Sequence, residues 1–176
     1  MSYMNLNNKI CRLCSSFMQS HPSSLGWLKC PSCGFSKVEK QVITLENYLM
    51  GRDSQFPEEL TPEISLNITI LLEKVNALLF ELKISSAKVS SGWRPAKINA
   101  TVANSAKKSH HMTGKAIDLL DDKDQSLAAK ILTNPTLLKK YDLWLEDPAH
   151  TKGKVTNWVH LDTGNRSERA LRMFKP

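Results

Sequence analysis

At 176 residues, with 41% hydrophobic and 23% charged residues, the chain has room for one full domain and a small appendage. No apolar run approaches the roughly 18–20 residues of a membrane-spanning helix, and the first nine residues lack the apolar core and cleavage site of a signal peptide, so the expectation is a chain made and kept in a cytoplasm unless something carries it out. The net charge of +7 favours an anionic partner, whether nucleic acid, a cell-wall polymer or a structural protein, without choosing among them.

The only four cysteines form two Cys-x-x-Cys pairs, Cys11/Cys14 and Cys30/Cys33, separated by fifteen residues. That spacing predicts a zinc ribbon, in which four thiolates close a tetrahedral and therefore structural site; disulfides are the weaker alternative without an export signal. Some 30 residues cannot bury a useful core, so the metal replaces one. Residues 1–40 hold five Lys/Arg (Lys9, Arg12, Lys29, Lys37, Lys40) against Glu39, which suits nucleic acid. Phe17, Trp27 and Phe35 are more simply a mini-core than a base-stacking set, so docking onto a protein partner is favoured. His21 is a loop residue in this reading, and the domain boundary falls near residue 40, leaving 41–176 as a second domain.

Within 38–50, Val42, Ile43, Leu45, Tyr48 and Leu49 predict a short amphipathic helix, and 51–59 reads as a loop. Thr61 and Pro62 supply an N-cap and a first-turn proline for a long helix over 62–83, with Ile64, Ile68, Leu71, Leu72, Val75, Leu78, Leu79 and Leu82 on its core face. Residues 87–95 read as a strand entering a loop in which Arg94 stands between Trp93 and Pro95. On local sequence alone Arg94 is a surface cation.

Residues 108–119 concentrate the chemistry. Gly114 permits a tight turn, beyond which Ala116 and Asp118 share one strand face while Ile117 and Leu119 face the core. The turn swings His111 back toward Asp118, and imidazole plus carboxylate suits Zn²⁺. Downstream, His160 is the strong candidate for a third ligand: Trp158, His160 and Asp162 alternate with Val159 and Leu161, so the histidine faces the site. Asp162 is a lesser candidate for a supporting hydrogen bond, and His110 is expected to point away, exposed. The acidic run 121–124 reads as a solvated loop, 126–139 as a helix broken at Asn134-Pro135, and the basic tail after Gly164 as a short surface helix.

Three segments stand in a specific order: Ser91-Gly92-Trp93-Arg94-Pro95, then Ser109-x-His111-x-x-Gly114-x-Ala116-x-Asp118, then Trp158-Val159-His160. In this the chain resembles the zinc D-Ala-D-Ala carboxypeptidase and L-alanyl-D-glutamate endopeptidase family, whose fold is shared with the Hedgehog signalling domain. Tyr48-Leu-Met-Gly-Arg-Asp53 and Glu146-Asp147-Pro148 look like its phage-encoded members. The resemblance covers about residues 42–165 and leaves the ribbon outside.

It implies an α+β fold, helices on a small antiparallel sheet, with His111, Asp118 and His160 holding a catalytic zinc. Arg94 would stabilise the oxyanion, and Ser109 would hydrogen-bond to orient a ligand. The substrate would be bacterial peptidoglycan. A phage lysin released to the wall, or a virion protein assembled in the host cytoplasm, fits the lack of a signal peptide, and the ribbon would dock on a phage structural protein. Many members place the catalytic acid three residues before the last histidine, where this chain has Asn157. Glu146, and after it Asp147, are the nearest carboxylates, because a hairpin through 151–154 would bring Glu146 beside His160. If neither reaches the water, the zinc site is present but poorly active; the rival reading, which Asn157 supports, is a phage tail or virion component that keeps the zinc without turnover.

Overall fold

The computed structural model describes residues 14–16, 18–20, 27–33, 36–38, 41–103, 105–167 and 171–176, and the chain divides into two compact units, Met1–Gln41 and Val42–Pro176. In the first unit β1 (Gln19–Ser20), β2 (Trp27–Lys29) and β3 (Ser36–Val38) form an antiparallel sheet in sequence order. Among the described residues of this unit, Met18, Leu28 and Cys30 form the buried apolar cluster.

The second unit starts with α1 (Leu45–Leu49), closed by a reciprocal Thr44/Asn47 capping box, then α2 (Arg52–Gln55) and a 3₁₀ turn (Pro57–Glu59) where the sequence reads as loop. Val42 and Ile43 precede α1 rather than belonging to it, because both their N–H groups donate to Asn76 Oδ1 instead of to a helix. The long helix α3 (Pro62–Glu81) begins as predicted, with Thr61 Oγ1 accepting from Ile64 N at 3.2 Å. Ile68, Leu71, Leu72, Val75, Leu78 and Leu79 form its buried stripe, each contributing about 1.5–3 kcal/mol of burial.

The rest of the unit is β4 (Val89–Ser91), α4 (Ala96–Thr101), β5 (Ala116–Asp121), α5 (Ser126–Leu132), α6 (Thr136–Lys140), β6 (Trp144–Glu146), β7 (Asn157–Asp162) and β8 (Met173–Phe174). The strands assemble in the order β4-β5-β7-β6-β8. Four of them pair antiparallel, but β8 runs parallel to β6, so the sheet is mixed and not the purely antiparallel one expected. In the tail, for which a short surface helix is expected, the described residues Met173 and Phe174 instead form this strand, with bonds to β6 such as Leu145 N to Arg172 O at 3.0 Å.

Ile117, Leu119, Val159, Leu161 and Leu145 join the α3 stripe in one core. Strand alternation then turns Asp118 and His160 to the opposite face. The 121–124 turn is less solvated than its charge suggests. Asp121 is buried, and its carboxylate accepts from Leu127 N at 2.9 Å and Ala128 N at 3.0 Å, capping α5.

Candidate metal centre

His111 is set by two carbonyls and two glycines. The His111 carbonyl accepts from Arg94 N at 3.1 Å, and Trp93 Nε1 donates to Met112 O at 3.2 Å, tying the turn to the strand-to-helix loop before it. Gly114 has φ +70°, and a Cβ there would lie 2.7 Å from Ile68 Cγ1 and 2.9 Å from Ile64 O, so the turn packs on α3 only as glycine. A Cβ on Gly92 would meet Tyr48 O at 1.8 Å. That close approach aims the Gly92 carbonyl at His111 Nδ1, 2.8 Å away. A carbonyl only accepts, so Nδ1 carries the proton and Nε2 keeps its lone pair.

That lone pair points at Asp118. His111 Nε2 is buried, has no hydrogen-bond partner, and lies 3.2 Å from Asp118 Oδ2. On the other side His160 Nδ1 is 2.7 Å from Asp118 Oδ1. The two rings meet edge-on with centroids 5.1 Å apart, and one ligand atom from each of the three residues lies within 4.8 Å of the others. A buried orphan nitrogen facing a carboxylate oxygen leaves a donor-acceptor account incomplete, and a cation between them completes it. Two imidazoles and a carboxylate are the donor set of an open zinc site, so the residues fit the metal.

The electrostatics agree. Burial holds His111 below the ordinary imidazole value against the pull of Asp118. Burial opposes charge on His160 too, but hydrogen bonds to Asp118 and Asp162 outweigh it and push that imidazole up to about 9. Burial would raise Asp118; His111 and His160 instead hold it well below the carboxylate range.

The three residues open into a cleft of about 600 Å³ whose wall includes Arg94, Ser109, Glu146, His150 and Trp158. Glu146 directly follows the Leu145–Leu161 pair of the β6–β7 ladder, and with His160 it lines the cleft. Burial raises its carboxyl above the ordinary value, with His160 opposing and Asp118 reinforcing the shift. Asp147 is not in the cleft wall; its Oδ1 accepts from Ala149 N at 3.0 Å to close the following turn. Arg94 is 9% exposed, donates from Nη2 to Ser109 Oγ at 3.1 Å, and has a buried Nε without a partner. Ser109 Oγ also accepts from His111 N at 3.3 Å, so one hydroxyl holds both the cation and the ligand's backbone.

Asn157 is turned away from this face. An odd spacing of three on a strand puts it opposite His160, and its Nδ2 donates to Asp122 O and Lys123 O at 2.9 and 3.2 Å. Local sequence missed His110, which joins the site by pairing with Asp162 at 3.2 Å between Nδ1 and Oδ2. It also missed Arg166 and Phe174, both in the cleft wall. The alternation that singled out Asp162 was the one signal for this group.

In the first unit, Cys14 Sγ is 3.4 Å from Cys30 Sγ and 3.6 Å from Cys33 Sγ, too far for a disulfide and close enough to share a metal. Cys11 lies outside the described residues. Hydrogen bonds from the Ser16 side chain and backbone, and from Cys30, bring the Cys14 thiol down to about 6, favouring the thiolate that binds metal.

Compared with known proteins, the chain matches no protein-family model and no curated sequence.

Proposed function

We propose that the second unit is a zinc peptidase that hydrolyses a stem-peptide or cross-link bond of bacterial peptidoglycan, carried by a phage as a lysin or a virion-borne enzyme. The observation that carries this reading is the coincidence, in one cleft, of the His111, Asp118 and His160 donor set with the half-buried carboxyl of Glu146 and the half-satisfied guanidinium of Arg94. The resemblance to the D-Ala-D-Ala carboxypeptidase and endopeptidase family supplies the substrate class.

His111, Asp118 and His160 would hold a zinc ion, which would supply Lewis acidity toward water and the scissile carbonyl. Glu146 takes the proton of the attacking water on its carboxylate and hands it to the leaving amine. Its raised affinity for a proton suits both halves of that task. Arg94 directs a fixed positive charge at the carbonyl oxygen as negative charge builds there, at no cost in reorganisation because Ser109 already holds it. Asn157 is absorbed by the β5–α5 turn, so its inability to accept a proton does not weigh against turnover.

The ribbon, with Cys11, Cys14, Cys30 and Cys33 on a structural zinc, docks in this reading on a phage structural protein rather than on nucleic acid. Made in the host cytoplasm, the protein acts on the wall after release or as part of a particle.

The test is mass spectrometry of purified peptidoglycan incubated with the zinc-loaded protein, beside His111→Ala and Glu146→Gln. New stem-peptide fragments from the wild type, absent from both variants, are expected and identify the bond. No fragments across several peptidoglycan chemotypes would favour a tail or virion protein that keeps the zinc without turnover.

A further inference from the structure

Asp162 is 1% exposed, and its carboxylate faces groups on four residues, His160, His110, Arg166 and Gly164. Its Oδ2 faces His160 Nε2 at 3.3 Å, His110 Nδ1 at 3.2 Å and Arg166 Nη2 at 2.7 Å; its Oδ1 accepts from Gly164 N at 2.9 Å and from Arg166 Nη1. The convergence depends on Gly164, where a Cβ would fall 2.2 Å from His110 Cε1 and 2.5 Å from Arg166 Nη1. Arg166 is fixed from its other side by Phe174 of β8, the ring centroid 3.7 Å from its guanidinium carbon. A chain of contacts thus runs from the parallel edge strand through Arg166 and Asp162 to His160.

We propose that Asp162 is a positioning residue of the metal centre, which fixes His160 as the Nε2–H tautomer so that Nδ1 faces the metal, with Arg166 and Gly164 keeping the carboxylate out of the ligand set. Both ring nitrogens of His160 face carboxylates, Nδ1 the Asp118 Oδ1 at 2.7 Å and Nε2 the Asp162 Oδ2 at 3.3 Å. A metal shared by His160 and Asp118 would take the place of the Nδ1 proton, and Nε2 would then keep its proton for the acceptor-only carboxylate of Asp162. The Gly92 carbonyl does the converse for His111, leaving its Nε2 free. The two histidines therefore offer opposite nitrogens to one point, each locked by an acceptor behind it. With Arg166 and Gly164 occupying its remaining acceptor directions, Asp162 does not swing round to fill the coordination position that a substrate or water needs. The inference rests on the metal reading of this site and is independent of the peptidase reading.

The test is a competition titration of the full-length chain with Zn²⁺ and a chromophoric chelator. His111→Ala reports the zinc held elsewhere, and its difference from the wild type isolates this site. Asp162→Asn, checked for folding by circular dichroism, is expected to bind zinc here about 10–100-fold more weakly. A folded Asp162→Asn with wild-type affinity would overturn the proposal. Should that variant fail to fold, ring-nitrogen NMR of the zinc-loaded wild type decides: a proton on His160 Nε2 supports the assignment and a proton on Nδ1 refutes it. A wild type holding no more zinc than His111→Ala overturns the metal reading and this proposal together, whatever happens to peptidoglycan.

Discussion

Asp118 and His160 are register partners across the β5–β7 ladder, and His160 Nδ1 stands 2.7 Å from Asp118 Oδ1. The sheet itself therefore sets the distance between two of the three candidate ligands, and only His111 depends on a turn. A site placed on paired strands is preorganised, so metal binding adds to stability instead of ordering a loop. Zinc at a hundred times its dissociation constant is expected to stabilise the second unit by about 2.7 kcal/mol. His160→Ala should lose that increment. The check is thermal unfolding followed through the buried Trp93 and Trp144, both in the second unit, with and without zinc. A zinc-dependent rise that survives His160→Ala would place the metal elsewhere.

Glu146 gives the pH dependence. Its carboxyl is raised above the ordinary 4.5, mainly by burial, so the base form is lost at a higher pH than for an exposed glutamate. The acid limb of the pH–rate profile should accordingly lie above 4.5, with activity falling as pH drops through the raised value. The stability sign runs the other way. A carboxyl whose folded pKa is raised contributes stability below its unfolded pKa and loses it as pH rises through the folded one. Glu146→Gln is therefore expected to be at least as stable as the wild type at neutral pH while turning over about 10²–10⁴-fold more slowly. Zinc content should be unchanged. The paired measurements are a pH–rate profile and a denaturant titration; a variant that is slow because it has lost metal would contradict this role.

Much of this was legible in the sequence because period and chemistry agreed. The α3 stripe follows the helical repeat, and the β7 alternation of Trp158, His160 and Asp162 with Val159 and Leu161 states which side the ligand faces. What escaped depends on contacts between residues far apart in the chain. Phe174 reads as a weak helix or a loose tail until β6 offers it an edge. Arg166 reads as one more basic residue, since nothing local says that Asp162 will be buried beneath it. Asp121 sits in an acidic run that looks solvated, yet its carboxylate is the cap of the next helix. Asn157 occupies the position at which the resemblance puts a catalytic acid, but the strand carries that side chain to the other face. The parallel β6–β8 pair has no local signature at all, because register between distant strands is set by the core they share.

Arg94 separates charge from metal. Its backbone N–H, not its side chain, holds the His111 carbonyl, so truncating the side chain leaves the ligand turn intact. Burial lowers its pKa, and its Nε has no partner, which marks a cation kept in place at some cost. Arg94→Ala is expected to lower kcat by about 10²–10³ with zinc affinity within a factor of a few of wild type. Arg94→Lys should recover only part of the loss, because an ammonium lacks the guanidinium fork that reaches Ser109 and substrate together. Steady-state kinetics on fragments identified from peptidoglycan, with zinc content measured on the same samples, provide the check.

Asn76 is the polar residue on which the approach to α1 depends. It lies within the apolar stripe of α3, 2% exposed, with Oδ1 accepting from Val42 N at 2.7 Å and Ile43 N at 2.9 Å. Its Nδ2 donates to Ile43 O and Leu72 O, each at 2.9 Å. All four of its hydrogen-bonding directions are used on backbone, so the side chain substitutes for the secondary structure that residues 42 and 43 lack. Those two residues lead into α1, whose Tyr48 hydroxyl donates to Ala116 O at 2.9 Å at the start of β5. Asn76→Ala is expected to cost about 2–4 kcal/mol, read as a lower urea midpoint at unchanged slope. Asn76→Leu separates the two possible causes. If the loss were a cavity, leucine would restore most of it. Because the loss is unpaired backbone N–H groups in a buried place, leucine should be no better than alanine, and a leucine variant of wild-type stability would refute the assignment.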